Sequence, residues 1–127
     1  MWTIKPFAQA AGVGVETVRF YQRKGLLEVP AEQPGGRRYG PADLRRLRFI
    51  RQAQTAGFSL QDIAELLALD ACEDRSRVRE LAQERLQALQ DQIRSLQQAQ
   101  RSLQRLVQEC AQGRSGPCPI LEAFAPE

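Results

Sequence analysis

At 127 residues and a net charge of +3, the chain is long enough for one domain, or a small domain with an appendage. It contains no histidine, which excludes an imidazole metal site, and no phosphate-binding glycine motif, which argues against an enzyme. No stretch approaches the ~20 apolar residues of a membrane-spanning helix, so no membrane association is expected.

The opening "MWTIKPFAQA" lacks the basic start and apolar run of a secretory signal. A cytoplasmic location is therefore expected, where thiols stay reduced. Three cysteines, an odd number, fit no closed disulfide framework. Charge is unevenly placed: residues 1–60 carry ten Lys and Arg against four Asp and Glu, while residues 61–127 carry eight against eleven. A basic front half suits a polyanion such as DNA, and an ordinary solvated surface fits the charge equally well.

The first predicted helix follows Thr3, a residue able to cap it, with Pro6 in a first turn where its missing N–H costs little. Phe7, Ala10 and Ala11 give this helix an apolar side. "GVG" (Gly12 to Gly14) breaks it, and a second helix is expected from about Val15 to Lys24, stopped at Gly25. Val18 and Phe20 take core positions on it. Two short helices across a glycine turn form the pattern of a helix-turn-helix.

"EVPAEQPGGRRYG" reads as a loop whose arm carries Arg37, Arg38 and Tyr39. A short β-ribbon is expected there, beside the second helix and within reach of neighbouring phosphates. "GPADLRRLRFIRQAQTAG" predicts a third helix with Pro41 in its first turn, Leu44, Leu47 and Ile50 inward, and Gly57 as the stop. "SLQDIAELLAL" opens on a Ser59 to Asp62 capping box and turns Ile63, Leu66 and Leu67 inward.

From about Ser76 to Cys110 there is no Gly or Pro, which predicts one helix on the order of 50 Å long. Its apolar positions step by fours and threes through Ala82, Leu86, Leu89, Ile93, Leu96, Leu103, Val107 and Cys110, with a polar break at Gln100. Such a seam needs a partner, and a two-fold homodimer is the default. Two reading helices in one dimer call for a pseudo-palindromic operator. Cys72 stands ahead of this helix, Cys110 ends its seam, and Cys118 follows a glycine-containing loop. No CxxC redox motif is present. Buried cysteines acting as small apolar residues and a thiolate clamp for a soft or borderline cation both fit the spacing.

"AAGVGVETVRFYQRKGLL", "RRYGPADLRRLRFI" and "AGFSLQDIAELL", in that order, resemble the winged helix-turn-helix of the MerR family. Within it they are most similar to the mercury-resistance regulators, densely over residues 3–69 and more loosely through the cysteine loop. The resemblance implies a mainly all-α fold. A winged helix-turn-helix DNA-binding domain would occupy residues 1–70, a linker and long antiparallel coiled-coil dimerisation helix 71–110, and a metal-binding loop with a short helix 110–127. It implies that Thr17, Arg19 and Tyr21 face double-stranded promoter DNA, with Lys24 nearby, and that Arg37, Arg38 and Tyr39 form the wing contact; an inward-packed ring is the alternative for Tyr21.

Antiparallel pairing would bring Cys72 of one chain toward Cys110 and Cys118 of the other, as a three-thiolate site for Hg(II). Cys72 lies about one turn earlier, relative to "LAQERL", than the mercury-type pattern places it. The loop ending in "CPI" is also similar to the copper(I)-type members, which use only the two C-terminal cysteines. Cd(II), Pb(II), Zn(II) and then Cu(I), Ag(I) or Au(I) therefore stay open as effectors. The implied function is metal-responsive transcription regulation, in which an overlong promoter spacer is bent and untwisted until RNA polymerase engages both elements. A MerR-like regulator of organic or oxidant signals is the alternative of another class, although three cysteines are one short of the iron–sulfur members' four.

Overall fold

The computed structural model describes residues 1–72, 74–113 and 116–124, without the side chains at 71 and 72. Its described elements are α-helical: α1 (Ile4–Ala10), α2 (Val15–Arg23), α3 (Pro41–Thr55), α4 (Leu60–Cys72), α5 (Arg75–Gln112) and α6 (Pro119–Ala123). The expected all-α architecture, with a long helix and a short C-terminal one, is therefore present. The chain divides into two compact units, Met1–Arg85 and Leu86–Glu127.

Local chemistry sets the helix boundaries. Thr3 holds the N-cap position of α1 on extended backbone, but its hydroxyl makes no cap bond, contrary to the expected role. At α3 the cap is glycine, and the first turn is secured instead by Asp43, whose carboxylate accepts from the Gly40 N–H at 2.8 Å. Ser59 Oγ accepts from the Asp62 N–H at 3.0 Å and so caps α4 as its sequence suggests. Gly57, after the end of α3, has φ +90°. A Cβ there would also come within 3.1 Å of the Arg85 guanidinium carbon, while Arg85 Nη1 donates to the Gly57 carbonyl at 3.0 Å. The left-handed backbone favours glycine here, and any side chain would also press on the Arg85 guanidinium.

The first unit is built on Phe7, Val18, Tyr21, Leu26, Tyr39, Leu47, Ile50 and Ile63, all essentially inaccessible to solvent. Each fully buried large aliphatic or aromatic side chain contributes about 1.5–3 kcal/mol. Phe7 stacks on Tyr39 with ring centroids 4.3 Å apart, and Phe20, half-buried, packs at the edge of this core. Residues 28–40 do not form the expected β-ribbon. Among the described residues the sole extended pairing is one antiparallel bridge between Trp2 and Tyr39, with N–H to carbonyl distances of 2.9 and 2.7 Å. The reason lies in "PAEQPGG": two prolines and two left-handed glycines within 30–36 deny the loop a run of paired donors.

The long helix begins where Asp74 Oδ1 accepts from the Arg77 N–H at 3.2 Å. Arg77 also forks onto Glu65 of α4 through two bonds, one of them 3.0 Å, which fastens the start of α5 to the first unit. Leu81 is buried, whereas Ala82 of the anticipated seam is exposed. In the second unit Leu86, Ile93, Leu96, Leu103 and Val107 are 42–69% exposed, so the apolar stripe has no cover among the described residues.

Candidate nucleic-acid interface and thiol pair

On α2 the outward stripe is Glu16, Arg19 and Arg23, spaced as one helix face, and all three are exposed. Arg19 Nη1 bonds Glu16 Oε1 at 2.9 Å. Thr17 is half-buried beside this stripe. Lys24 is exposed at the helix end, with its ammonium 5.7 Å above the Phe20 ring. Arg23 was not singled out from the sequence, although its position seven residues after Glu16 and four after Arg19 is the signal that finds it.

Tyr21 was expected to face DNA, and its ring is instead buried at 1% exposure. The apolar period of α2 explains this, since Val18 and Tyr21 are three apart and share the inner face. Its hydroxyl donates to Gln54 Oε1 of α3 and accepts from Arg51 Nη1 at 3.3 Å. Tyr39 likewise lies in the core at 2% exposure rather than on the wing surface. Its stacking on Phe7 and its hydroxyl, which accepts from Gln22 Nε2 at 2.9 Å, hold it there. Both tyrosines fix α2 against its neighbours from below.

Arg37 and Arg38 stand in the glycine turn. Arg37 is exposed and donates to the Pro30 carbonyl at 2.6 Å, while Arg38, half-buried, donates to the Gly35 carbonyl at 2.9 Å. Each guanidinium has five N–H donors, so these bonds orient the fork and leave donors for an anion. Some of the basic excess is structural. Arg46 Nε donates to the Leu26 carbonyl at 2.7 Å and Arg48 Nη2 to the Ala10 carbonyl at 3.2 Å, tying α3 to the helix-turn-helix.

In the second unit Cys110, near the end of α5, and Cys118, the N-cap of α6, place their sulfurs 3.5 Å apart as free thiols. The Leu121 backbone N–H, the Cys110 thiol and the Ile120 N–H hold Cys118 below the usual thiol range. Cys110 is pushed up by its hydrogen bond with Cys118, by that neighbour's charge and by burial. The reduced pair is thus two sulfurs in contact, with Cys118 the more acidic, and a thiolate is the form that binds soft cations. Cys72 closes α4 on the backbone, and its side chain lies outside the described residues. Among the described residues no group of three or more Cys, Asp or Glu gathers as a metal site.

The donor set fits a thiophilic ion. Two thiolates each about 2.3 Å from a metal are about 3.8 Å apart at the tetrahedral angle and about 4.6 Å apart when collinear. The observed 3.5 Å lies beside the bent arrangement.

Comparison with known proteins places this geometry. Residues 2–70 match the family described as MerR HTH family regulatory protein, and residues 44–106 match the family described as MerR, DNA binding. The chain is 46% identical to a mercuric resistance operon regulatory protein of Serratia marcescens, over 98% of this chain and 88% of that one. Among solved structures it is similar to the transcription regulator PbrR691 of Ralstonia metallidurans CH34 in complex with lead(II). That match has a TM-score of 0.74 and 31% identity, covering 98% of this chain and all of that one. HiNmlR, a MerR family regulator bound to promoter DNA, matches at a TM-score of 0.66 and 25% identity, over 87% of this chain and 92% of that one. With the helix-turn-helix of α1 and α2 in place and both family matches overlapping it or its continuation, the chain belongs to the MerR family of DNA-binding transcription regulators and is not an enzyme.

Proposed function

We propose that this chain regulates a metal-resistance promoter and responds to Hg(II) through cysteine thiolates at a homodimer interface. The observation that carries the reading is the pair of free thiols at 3.5 Å, borne by the same chain as a helix-turn-helix. The near full-length identity to the mercuric relative supports the choice of ion. Thr17, Arg19 and Lys24 of α2, with Arg37 and Arg38 of the glycine turn, would contact the promoter duplex, and Arg23 joins them. Tyr21 and Tyr39 act beneath that surface, as supports of α2 and of the turn.

The open stripe on α5 supports a dimer, because contiguous exposed apolar positions at coiled-coil spacing need a second helix. In an antiparallel pair, the partner's Cys72 is the candidate third ligand to Cys110 and Cys118. The free-thiol contact suits any thiophilic ion, and the near full-length identity to the mercuric relative is what favours Hg(II) over Cd(II), Pb(II), Zn(II), Cu(I), Ag(I) or Au(I). A soft ion, when bound, supplies a cross-link among thiolates. The chain's own contribution is to present Cys118 as an acceptor, to give up the Cys110 proton, and to carry the change along α5. RNA polymerase at a pseudo-palindromic operator in the cytoplasm completes the reading.

Titration of reduced protein with Hg(II), Cd(II) and Cu(I), followed by thiolate-to-metal absorbance and operator transcription, tests it. Cys110→Ser and Cys118→Ser should each abolish the response, and Cys72→Ser should weaken Hg(II) binding. An unchanged affinity for every ion in Cys72→Ser removes the third ligand. A full response in Cys118→Ser removes the thiol site itself.

A further inference from the structure

The spacing of Cys110 and Cys118 in sequence, with seven residues between them, argues against redox chemistry of the CxxC kind. The structure overrides that argument. The end of α5 and the start of α6 bring the two sulfurs into van der Waals contact at 3.5 Å, and neither cysteine is buried within its own chain. A disulfide needs an S–S bond of about 2.05 Å, so the sulfurs must close by roughly 1.5 Å. The two thiols are already in contact, so closure needs no larger movement of the two segments.

We propose that Cys110 and Cys118 form a peroxide-oxidisable pair that closes to an intrachain disulfide, making the regulator sensitive to oxidants as well as to metal. One sulfur, as thiolate, attacks a peroxide oxygen. The O–O bond breaks, a sulfenic acid forms, and the departing oxygen leaves as water once protonated. The second sulfur then attacks the sulfenic sulfur. An S–S bond forms, the S–O bond breaks, and the second thiol's proton leaves with the hydroxyl as water. Two thiols and one peroxide thus give one disulfide and two waters, with two electrons passing from sulfur to oxygen.

Both lone-pair donors are then spent, since a thiolate and not a disulfide sulfur is the metal ligand. The oxidised chain should be blind to metal until a thiol reductant restores it. This consequence rests on the metal reading above, whereas the oxidation itself does not.

The sequence makes the test clean. Trypsin cleaves after Arg75, Arg105 and Arg114, so Cys72, Cys110 and Cys118 fall on three separate peptides, 52–75, 106–114 and 115–127. Reduced full-length protein is treated with a stoichiometric amount of hydrogen peroxide, quenched with an alkylating agent, digested without reductant and analysed by mass. The expected product is peptide 106–114 disulfide-linked to 115–127, with Cys72 alkylated and with monomeric mobility on a non-reducing gel. Dithiothreitol should reverse it. Cys118→Ser should lose the link, and Cys72→Ser should keep it.

Links between identical peptides, a link to the Cys72 peptide, or only sulfinic and sulfonic acids would overturn the proposal. Hg(II) titration of the oxidised and reduced forms separates the two readings. Metal binding in the reduced form without a disulfide in the oxidised one defeats the oxidation site alone. A disulfide with no metal response in the reduced form defeats the metal reading alone.

Discussion

Replacing Tyr21 by Phe separates a core tyrosine from one that reads DNA. The ring is 1% exposed, and its hydroxyl makes one short bond to Gln54 and one long bond, 3.3 Å, from Arg51. Tyr21→Phe keeps the ring and removes both. A neutral hydrogen bond contributes about 0.5–1.5 kcal/mol net, and Gln54 is half-buried, so its amide can turn to water and limit the loss. The expected cost is about 1 kcal/mol. With a urea slope of about 2 kcal/mol/M, the midpoint should fall by roughly 0.5 M. Protein concentration is held fixed, because a dimer's stability depends on it. Tyr21→Ala, which removes the ring, should cost about 3–5 kcal/mol. Operator affinity of Tyr21→Phe, measured by fluorescence anisotropy, should change by less than about three-fold, since under 0.7 kcal/mol would reach α2. Unchanged urea stability together with a loss of DNA affinity above about ten-fold would refute the reasoning, and the hydroxyl would then belong to the DNA.

Two further outcomes concern α5 and its attachment to α4. Leu103→Glu places a charge on the open stripe of α5 and removes one leucine from each helix of the proposed two-fold pair, about 3–6 kcal/mol in total. Sedimentation should show the dimer constant weakened by more than about 100-fold, and an unaltered dimer would exclude that face as the interface. The Arg77 bonds hold the Glu65 carboxyl below its usual range, so its contribution is complete above the unfolded value of about 4.3 and is lost as pH falls through the lowered folded value. Glu65→Gln should therefore unfold at lower urea than the parent at about pH 7, with the gap closing below about pH 4. A gap of equal size at both pH values would remove the ion pair from the account.

Local rules account for most of the helical frame. Proline at the start of α3, Ser59 at the cap of α4 and the uninterrupted run through α5 are read from neighbouring residues, and hydrogen bonding at those helix ends follows the same short range. The exposed seam was legible for the same reason, since helical period alone puts Leu96, Leu103 and Val107 on one face. Thr3 shows the limit of such reading: the residue type suits a cap, but its hydroxyl makes no cap bond.

What tertiary structure alone decided is which of two chemically suitable faces each amphipathic side chain took. Tyr21 and Tyr39 carry both a ring that gains from burial and a hydroxyl that can serve DNA. The stacking of Tyr39 on Phe7 and the partners Gln54 and Gln22, 33 and 17 residues away from the tyrosines they bind, tipped both inward. The thiol pair is the same lesson at longer reach. Sequence supplied the residue types and the absence of histidine, which restrict the chemistry to sulfur and oxygen ligands. The placement of Cys118 beside the end of α5 supplied the 3.5 Å, and only a distance can turn two cysteines into a site.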